Sequence, residues 1–358
     1  MHRNEDAGGA QAALPGAGAR ADDAPGCDHV LPPAGERVLG LIINPTSRRN
    51  RKHLGRIIAT AGNRPRIHYR VTEHHDEVSQ GLSELAARSV NVLAISGGDG
   101  TVSRVLTHLL EERPFTRMPV IAILPGGTAN MTAGDIGFRG SVHRAMRRLR
   151  DWIEQDAGSV RILRRPILRV QPGTDQPASY GMFFGAGAIV QGIEYTNANI
   201  HSRGLKHELS LGLGMARSMW GIARQDPRFI RPSGFAIGID EQAVAPPQNV
   251  VLLLVSSLER LFLNMHPYWG EENGKPLHTT IVQSPATRLI RTLPSLLRGK
   301  PGRRLTPESG YLSYNVDKIS LGFDGPFTLD GEIMHAHSDS GPVLVSNGGE
   351  LDFLRIPN

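Results

Sequence analysis

The chain of 358 residues has one cysteine, Cys27, and no long apolar run. A single cysteine excludes an internal disulfide and is typical of a reducing compartment, so we expect a cytoplasmic location. The longest apolar run, "VVLLLV" near Val250, is far shorter than the about 20 residues that a membrane span needs. The chain also has no basic start followed by an apolar stretch, which predicts that there is no signal peptide.

Several signatures of common site types are also missing. The chain has no Gly-Lys-Ser/Thr Walker A loop, no zinc-ligand spacing, no Ser-His-Asp signature and no aromatic-plus-basic array of the RNA-binding kind. We therefore expect no nucleic acid partner. The formal net charge is +6, and the first 36 residues are acidic, so the remaining body is strongly basic. Such a body favours a nucleotide or an acidic membrane surface as its partner.

The order of predicted elements indicates the fold class. Residues 1–36 are rich in Ala, Gly, Pro and Asp and predict a disordered tail. Residues 37–156 alternate short apolar strands with helices, which is typical of an α/β domain with a doubly wound parallel sheet. The predicted elements of this domain are, in chain order, Val38–Ile43, Arg51–Ala61, Ile67–Thr72, Asp76–Ala87, Val90–Ile95, Gly100–Glu112, Val120–Leu124 and Ser141–Ile153.

Residues 157–358 have a different pattern, with many strand candidates separated by turn residues. They predict a second, mainly antiparallel β-rich domain, whose C-terminal end is able to return to the first domain. One long strand is predicted over "SYGMFFGAGAIV", residues 179–190. Helical patterns at Leu205–Arg224 and Ala286–Arg298 interrupt the strands.

Three loops follow strands of the predicted parallel sheet. They are "NPTS" (Asn44–Ser47), "SGGDGT" (Ser96–Thr101) and "LPGGTAN" (Leu124–Asn130). Ligands bind at the carboxyl edge of such a sheet, where glycines let backbone amides and a helix dipole face a phosphate. Each loop alone could be a tight turn, but three at one edge predict a phosphate site. Asp99 would repel a phosphate unless a cation lies between them, so we predict that Asp99 organises Mg²⁺.

These loops and the later "LDGE" (Leu329–Glu332) stand in the order found in the diacylglycerol kinase catalytic family, which includes sphingosine kinases, ceramide kinases and bacterial soluble lipid kinases. The chain resembles this family from Val38 to about Leu354, and "LLRGKPGRRL" resembles the bacterial branch. The resemblance implies an ATP- and Mg²⁺-dependent lipid kinase. Its acceptor would be a hydroxyl of a diacylglycerol-like or sphingoid-type lipid. In the family the active site lies in the cleft between the two domains.

The resemblance also implies roles for individual residues. The residues that it places at the nucleotide are Asn44, Pro45, Thr46, Ser47, Thr72, Gly97, Gly98, Asp99, Gly100, Thr101, Thr128 and Asn130. The family's proton acceptor lies in "LDGE", so we predict Glu332 as the catalytic base with Asp330 as its partner, and an exchange of these two roles stays open. Without the family, an Asp-Gly pair is more typical of a solvated β-turn.

Three residues depart from the family's pattern. Arg104 stands where a glutamate is usual, Arg48 replaces a glycine, and Met131 replaces an aspartate. Arg104 can pair with a phosphate and is included among the predicted nucleotide contacts. The same departures leave open a catalytically weakened homologue that binds nucleotide or lipid. An NAD kinase shares "GGDGT" but fits the order of the other motifs less well.

One stretch, "ATRLIRTLPSLLRGKPGRR" at residues 286–304, alternates leucines with arginines and a lysine. A basic amphipathic segment is typical of proteins that lie on an anionic membrane, so we expect peripheral association with the inner face of a membrane. The alternative is a solvated helix packed on its own domain. The sequence does not predict the oligomeric state.

Overall fold

The structure is a computed structural model that describes residues 31–74, 76–200, 221, 224, 233–242, 245–286 and 288–356. Most of the predicted tail, with Cys27, lies outside the described residues. The predicted helix Leu205–Arg224 also lies outside them, except for two positions.

The first part of the chain forms a parallel sheet between helices. Its strands are β1 (Leu39–Ile43), β2 (Ile67–Val71), β3 (Val92–Gly97) and β4 (Val120–Pro125), and its helices are α1 (Arg48–Ala61), α2 (Asp76–Ala86), α3 (Asp99–Glu111), α4 (Met131–Asp135) and α5 (Val142–Gln155). The strand order is β4-β3-β1-β2. Helix α1 packs against α5, and α2 packs against α3. Every residue of β1 and β3 is buried, which explains why these strands are continuously apolar.

The second part is mainly antiparallel. Its strands are β5 (Arg161–Gln171), β6 (Ser179–Gly181), β7 (Phe183–Gly187), β8 (Ser233–Ile239), β9 (Gln248–Ser256), β10 (Leu277–Gln283), β11 (Tyr311–Val316), β12 (Lys318–Gly322), β13 (Gly325–Leu329), β14 (Glu332–Ala336) and β15 (Val343–Arg355), and its described helices are α6 (Ala188–Ile200) and α7 (Leu289–Leu297). The predicted fold class, a parallel α/β sheet followed by a β-rich antiparallel region, is confirmed.

The long strand β15 joins the two parts. It pairs antiparallel with β5 and β12, and at Phe353 it pairs in parallel with Ile121 of β4. One apolar cluster also crosses between the parts, since it contains Leu93 and Ile121 of the parallel sheet together with Met182 and Leu254 of the antiparallel region. This shared core holds the loops of the first part in a fixed relation to the strands of the second.

The long strand predicted over residues 179–190 is wrong in its last part. The chain forms β6 and β7 and then turns into α6 at Ala188. Gly187 has φ +70, and a side chain there would strike the backbone of Val251, so the strand ends at this residue. The apolar residues Ala188, Ile189 and Val190 therefore pack as the first turn of a helix. In the described part of the chain, no helix is both long and apolar enough to cross a bilayer.

A buried carboxylate also links the two parts. Oδ2 of Asp135, at the end of α4, accepts the backbone N–H of Glu259 at 3.0 Å. Burial, followed by the negative charge of Glu259, raises the pKa of Asp135 to about 6, while Arg165 and Arg355 act in the opposite direction. Folding therefore opposes ionisation of this group near neutral pH.

This raised pKa leads to a prediction about stability. The folded state holds the Asp135 proton up to a pKa of about 6, whereas the unfolded chain releases it near 3.8, so the stabilisation from Asp135 is complete below pH 4 and is lost as the pH rises through 6. The loss is at most about 3 kcal/mol.

We expect Asp135→Asn to melt at a higher temperature than the wild type at pH 7, with the difference shrinking toward pH 4. Thermal melts across this range measure it, and exposed Asp175→Asn is the control. Parallel melting curves for wild type and Asp135→Asn would contradict the prediction.

Candidate active site

Two of the three predicted loops are joined directly by a side chain at the carboxyl edge of the parallel sheet. Asn44 follows β1, and its Nδ2 donates to Oγ1 of Thr101, in the first turn of α3, at 2.9 Å. Its Oδ1 accepts the backbone N–H groups of Thr46 and Ser47 at 3.0 and 3.2 Å, which shapes the turn that starts α1. No hydrogen bond donated by the Thr101 hydroxyl is seen among the described residues, so its hydrogen is able to point to a ligand.

The sequence analysis missed a central residue of this edge, Asn50 in α1. Asn50 is fully buried. Its Nδ2 donates to the backbone oxygens of Asn44 and Ser96 at 2.8 and 2.7 Å, and its Oδ1 accepts the Ser96 hydroxyl at 2.9 Å. Asn50 thus fixes the ends of β1 and β3 relative to each other. A signal for this role was present, because Asn50 lies two helical turns before the buried Ile57 and so shares its face.

The loop after β4 packs against the loop after β3. A side chain on Gly127 would overlap the Cα of Gly98, so these two backbones touch only because residue 127 is glycine. Asn130 stabilises the loop from inside, since its Oδ1 accepts the N–H of Gly127 at 2.7 Å and its Nδ2 donates to the Gly127 oxygen at 3.0 Å. The predicted nucleotide residue Thr128 is half-buried beside this contact.

Thr72 joins the same edge at its far side. It comes directly after β2, and its N–H donates to the Ile43 oxygen at 2.9 Å. The structure therefore brings every predicted nucleotide residue to this edge, on the loops after β1, β2, β3 and β4 or in the first turns of α3. Pro45 and Thr72 are buried there, whereas Thr46 is exposed.

Asp99 has a structural partner that the sequence did not indicate. Its two carboxylate oxygens accept the backbone N–H groups of Met131 and Thr132, at 3.1 and 2.9 Å, at the start of α4. Burial raises the pKa of Asp99, and these amide hydrogen bonds oppose that effect. In the described part of the chain no three Asp, Glu, His or Cys side chains form a group suited to a metal ion. Direct metal ligation by Asp99 therefore stays a prediction.

Asp330 and Glu332 have very different surroundings. Asp330, with φ +50, and Gly331, with φ +91, form the two-residue turn between β13 and β14. The Asp330 carboxylate is buried and accepts the N–H groups of Met182 and Phe183 at 2.9 and 3.0 Å. Burial, and then the charge of Asp99, raises the pKa of Asp330 well above its usual value. Asp330 thus anchors the turn to the antiparallel sheet.

Glu332 reaches across to the glycine loop. A Cβ placed on Gly100 would lie 2.6 Å from Oε1 of Glu332, so this carboxylate contacts the first turn of α3. The same oxygen lies 3.2 Å from a guanidinium nitrogen of Arg104. The Glu332 side chain is 52 % exposed and that of Arg104 is 19 % exposed. An acid from the β-rich part and a glycine loop from the parallel sheet are therefore in direct contact.

Comparison with known proteins identifies the first part. Residues 38–162 match the family model described as the diacylglycerol kinase catalytic domain. Over these residues the chain is similar to the diacylglycerol kinase catalytic family. The resemblance predicted from the motifs is thereby confirmed.

The diacylglycerol kinase catalytic domain has curated relatives of similar sequence. The chain is 35% identical over 80 residues to a "probable lipid kinase YegS-like" protein of Enterobacter sp. (strain 638), and 38% identical over 64 residues to one of Yersinia pestis (strain Pestoides F). These segments are 22% and 18% of this chain. The chain spans only 26% and 21% of the two relatives' lengths.

The fold extends beyond the diacylglycerol kinase catalytic domain itself. The structure is similar to a solved diacylglycerol kinase of Bacillus anthracis str. Sterne, with a TM-score of 0.54 and 18% identity. The similarity covers 90% of this chain and 97% of that chain. The β-rich part therefore has the same overall arrangement as in that protein.

Proposed function

We propose that this protein is an ATP-dependent lipid kinase, which transfers the γ-phosphoryl group of ATP to a hydroxyl group of a diacylglycerol-like or sphingoid-type lipid. The observation that carries the proposal is the contact between Glu332 and the first turn of α3 at Gly100. In this contact an exposed carboxylate of the β-rich part lies beside a glycine loop of the parallel sheet, and loops of this kind bind phosphate groups. A kinase needs these two groups within one crevice.

The nucleotide would lie against the loops after β1, β3 and β4. The Thr101 hydroxyl and the start of α3 offer donors and a positive helix end to its phosphates. Arg104 adds a guanidinium whose buried Nε has no hydrogen-bond partner among the described residues, which fits a position prepared for an anion. Mg²⁺ would neutralise charge on the phosphates. Because the Asp99 oxygens are already bonded to amides, we propose that Asp99 acts on this ion through water.

Glu332 would act as the base on the side of the site that faces the lipid acceptor. The lipid hydroxyl oxygen forms a bond to the γ-phosphorus while the bond from that phosphorus to the bridging oxygen of ADP breaks, and Glu332 takes the hydroxyl proton. Asp330 does not touch the acceptor in this proposal. It holds the turn through Met182 and Phe183 and so sets the position of Glu332.

A direct assay tests the proposal. Purified protein is incubated with labelled ATP, Mg²⁺ and a panel that contains diacylglycerol, sphingosine, ceramide and NAD. We expect label in at least one lipid and none in NAD. Labelling of NAD alone, or of no acceptor at all, would contradict the proposal.

The ion pair between Arg104 and Glu332 favours a second candidate function. The guanidinium of Arg104 lies 3.2 Å from Oε1 of Glu332, so it competes with an acceptor hydroxyl for this oxygen. A protein that binds ATP but does not turn it over would suit this arrangement. Calorimetric ATP binding together with no labelled lipid in the assay above would support this alternative.

We also propose that the protein works at an anionic membrane surface through α7 and the residues after it. This basic surface consists of Arg288, Arg291, Arg298, Lys300, Arg303 and Arg304, all exposed, with the exposed Ile290 among them. In the described part of the chain none of these cations has a recorded ion pair. Unneutralised cations around an apolar side chain suit a bilayer of anionic lipids.

This surface leads to a vesicle-binding prediction. Each cation near an anionic bilayer contributes about 1 kcal/mol, so we expect Arg291→Ala with Arg298→Ala to weaken binding to phosphatidylglycerol vesicles about 30-fold. Binding to phosphatidylcholine vesicles is expected to be weak for all variants. Cosedimentation measures both. The control is Arg113→Ala with Arg117→Ala, before the amino end of β4. Equal loss in the two double variants would contradict the role of this surface.

A further inference from the structure

A second group of cations lies beside the nucleotide loops. It lines a pocket of about 380 Å³ between the first two turns of α1 and the start of α5. The lining residues are Arg48, Arg49, Lys52, His53, Gly140, Ser141 and Val142. The proposed transfer reaction does not use this pocket, although its lining includes Arg48, which stands where the family's pattern has a glycine.

The lining has the chemistry of an anion site. Three of its side chains carry permanent positive charge, one is a histidine, and the lining contains no acid. Helices α1 and α5 both begin here, so the positive ends of two helix dipoles meet at the pocket. A volume of this size accommodates a phosphate group with part of the molecule that carries it.

One hydrogen-bond donor of the lining has no acceptor among the described residues. Nη1 of Arg48 is buried and has no hydrogen-bond partner among the described residues. Its neighbour Arg49 differs, because Nη1 of Arg49 donates to the Gly140 oxygen at 3.2 Å and so bridges the two helices. A buried guanidinium donor without an acceptor is costly, and an anion in the pocket would satisfy it.

Further cations lie around the pocket. Partial burial lowers the pKa of His143, the residue after Val142, and the nearby charges lower it further; these are Arg147, Arg56, His53 and Arg150. Two acidic residues of α5 form ion pairs near the C-terminal end of that helix, away from the pocket. Asp151 pairs with Arg150, and Glu154 pairs with Arg64. An anion would therefore enter a region of positive potential.

We propose that this pocket binds a phosphate dianion, either as inorganic phosphate or as the terminal phosphomonoester of a lipid, at a site separate from the nucleotide. The site communicates with the nucleotide edge through α1. The backbone N–H of Arg49 donates to the Gly126 oxygen at 2.9 Å, and Asn50 is the next residue. An anion that fixes the first turn of α1 thus also fixes the loops after β1, β3 and β4. This proposal stands on the pocket alone and does not require kinase activity.

The test compares the wild type with Lys52→Met, Arg48→Met and the control Arg51→Ala, which changes an exposed cation of α1 outside the pocket. Calorimetry measures inorganic phosphate binding with the nucleotide site saturated by a non-hydrolysable ATP analogue, at constant ionic strength set with chloride. A parallel arm uses vesicles with and without phosphatidic acid. We expect saturable binding by the wild type and Arg51→Ala, and at least about tenfold weaker binding by each methionine variant.

The two arms distinguish the source of the phosphate. Binding of inorganic phosphate shows that a free anion is sufficient, whereas a response to phosphatidic acid vesicles alone assigns the site to a lipid headgroup. The proposal fails if neither ligand binds with the analogue present, or if Lys52→Met binds as the wild type does. Lys52 is exposed, so this variant keeps the test valid even if Arg48→Met does not fold.

Discussion

Replacing Glu332 by glutamine is expected to lower kcat for lipid phosphorylation by about 100- to 10,000-fold, the range that a general base contributes. Glutamine keeps the size of the side chain and its contact with Gly100 but cannot accept the hydroxyl proton. We expect the Kd for ADP to change little, because Glu332 approaches the nucleotide only from the acceptor side. Steady-state kinetics and calorimetry measure the two quantities.

The control for this variant is Glu272→Gln, an exposed glutamate of the same part of the chain. The melting temperature provides a second check. The ion pair between Glu332 and Arg104 is partly exposed, so its loss is worth at most about 1 kcal/mol and cannot explain a large fall in kcat through unfolding. An unchanged kcat in Glu332→Gln would remove Glu332 from the reaction and with it the proposed proton transfer.

Replacing Gly127 by alanine is expected to abolish measurable nucleotide binding. The added Cβ would overlap the Cα of Gly98, which is backbone and cannot rotate away, so the loops after β3 and β4 must separate. Such overpacking costs about 1–3 kcal/mol of stability. The larger consequence is for function, because the phosphate donors on the two loops lose their relative positions. Calorimetry with ADP and a thermal melt measure the two effects separately.

Gly134→Ala is the matched control for this variant. Gly134 lies in α4, seven residues further along the chain, and a Cβ there would meet no atom within 4 Å. Alanine favours a helix over glycine by up to about 1 kcal/mol, so this control should be as stable as the wild type or slightly more so. Normal ADP binding by Gly127→Ala would show that contact between the two loops is not needed for the site.

The parallel half of the fold could be predicted from sequence because its information is local. Short apolar strands such as Leu39–Ile43 are buried on both sides, and the glycine loops that follow β3 and β4 break the pattern at the carboxyl ends. The β-rich half was less predictable. Its pairings join distant segments, and the apolar run at residues 179–190 does not reveal that Gly187 ends the strand.

The sequence by itself determined the three loops, their common edge and the acids of "LDGE". It did not separate the roles of Asp330 and Glu332, which both carry a carboxyl group and are only two residues apart. The tertiary structure decided that difference by turning Asp330 inward to the amides of Met182 and Phe183 and leaving Glu332 exposed beside Gly100.

The same holds for Arg104 and Asn50. Arg104 lies 228 positions before its partner Glu332, and Asn50 bonds to backbone oxygens at the ends of two strands. Periodicity and motif spacing report which face of an element is buried. They carry no information about which distant polar group will meet a side chain, because only the packing of the two parts against each other brings those groups together.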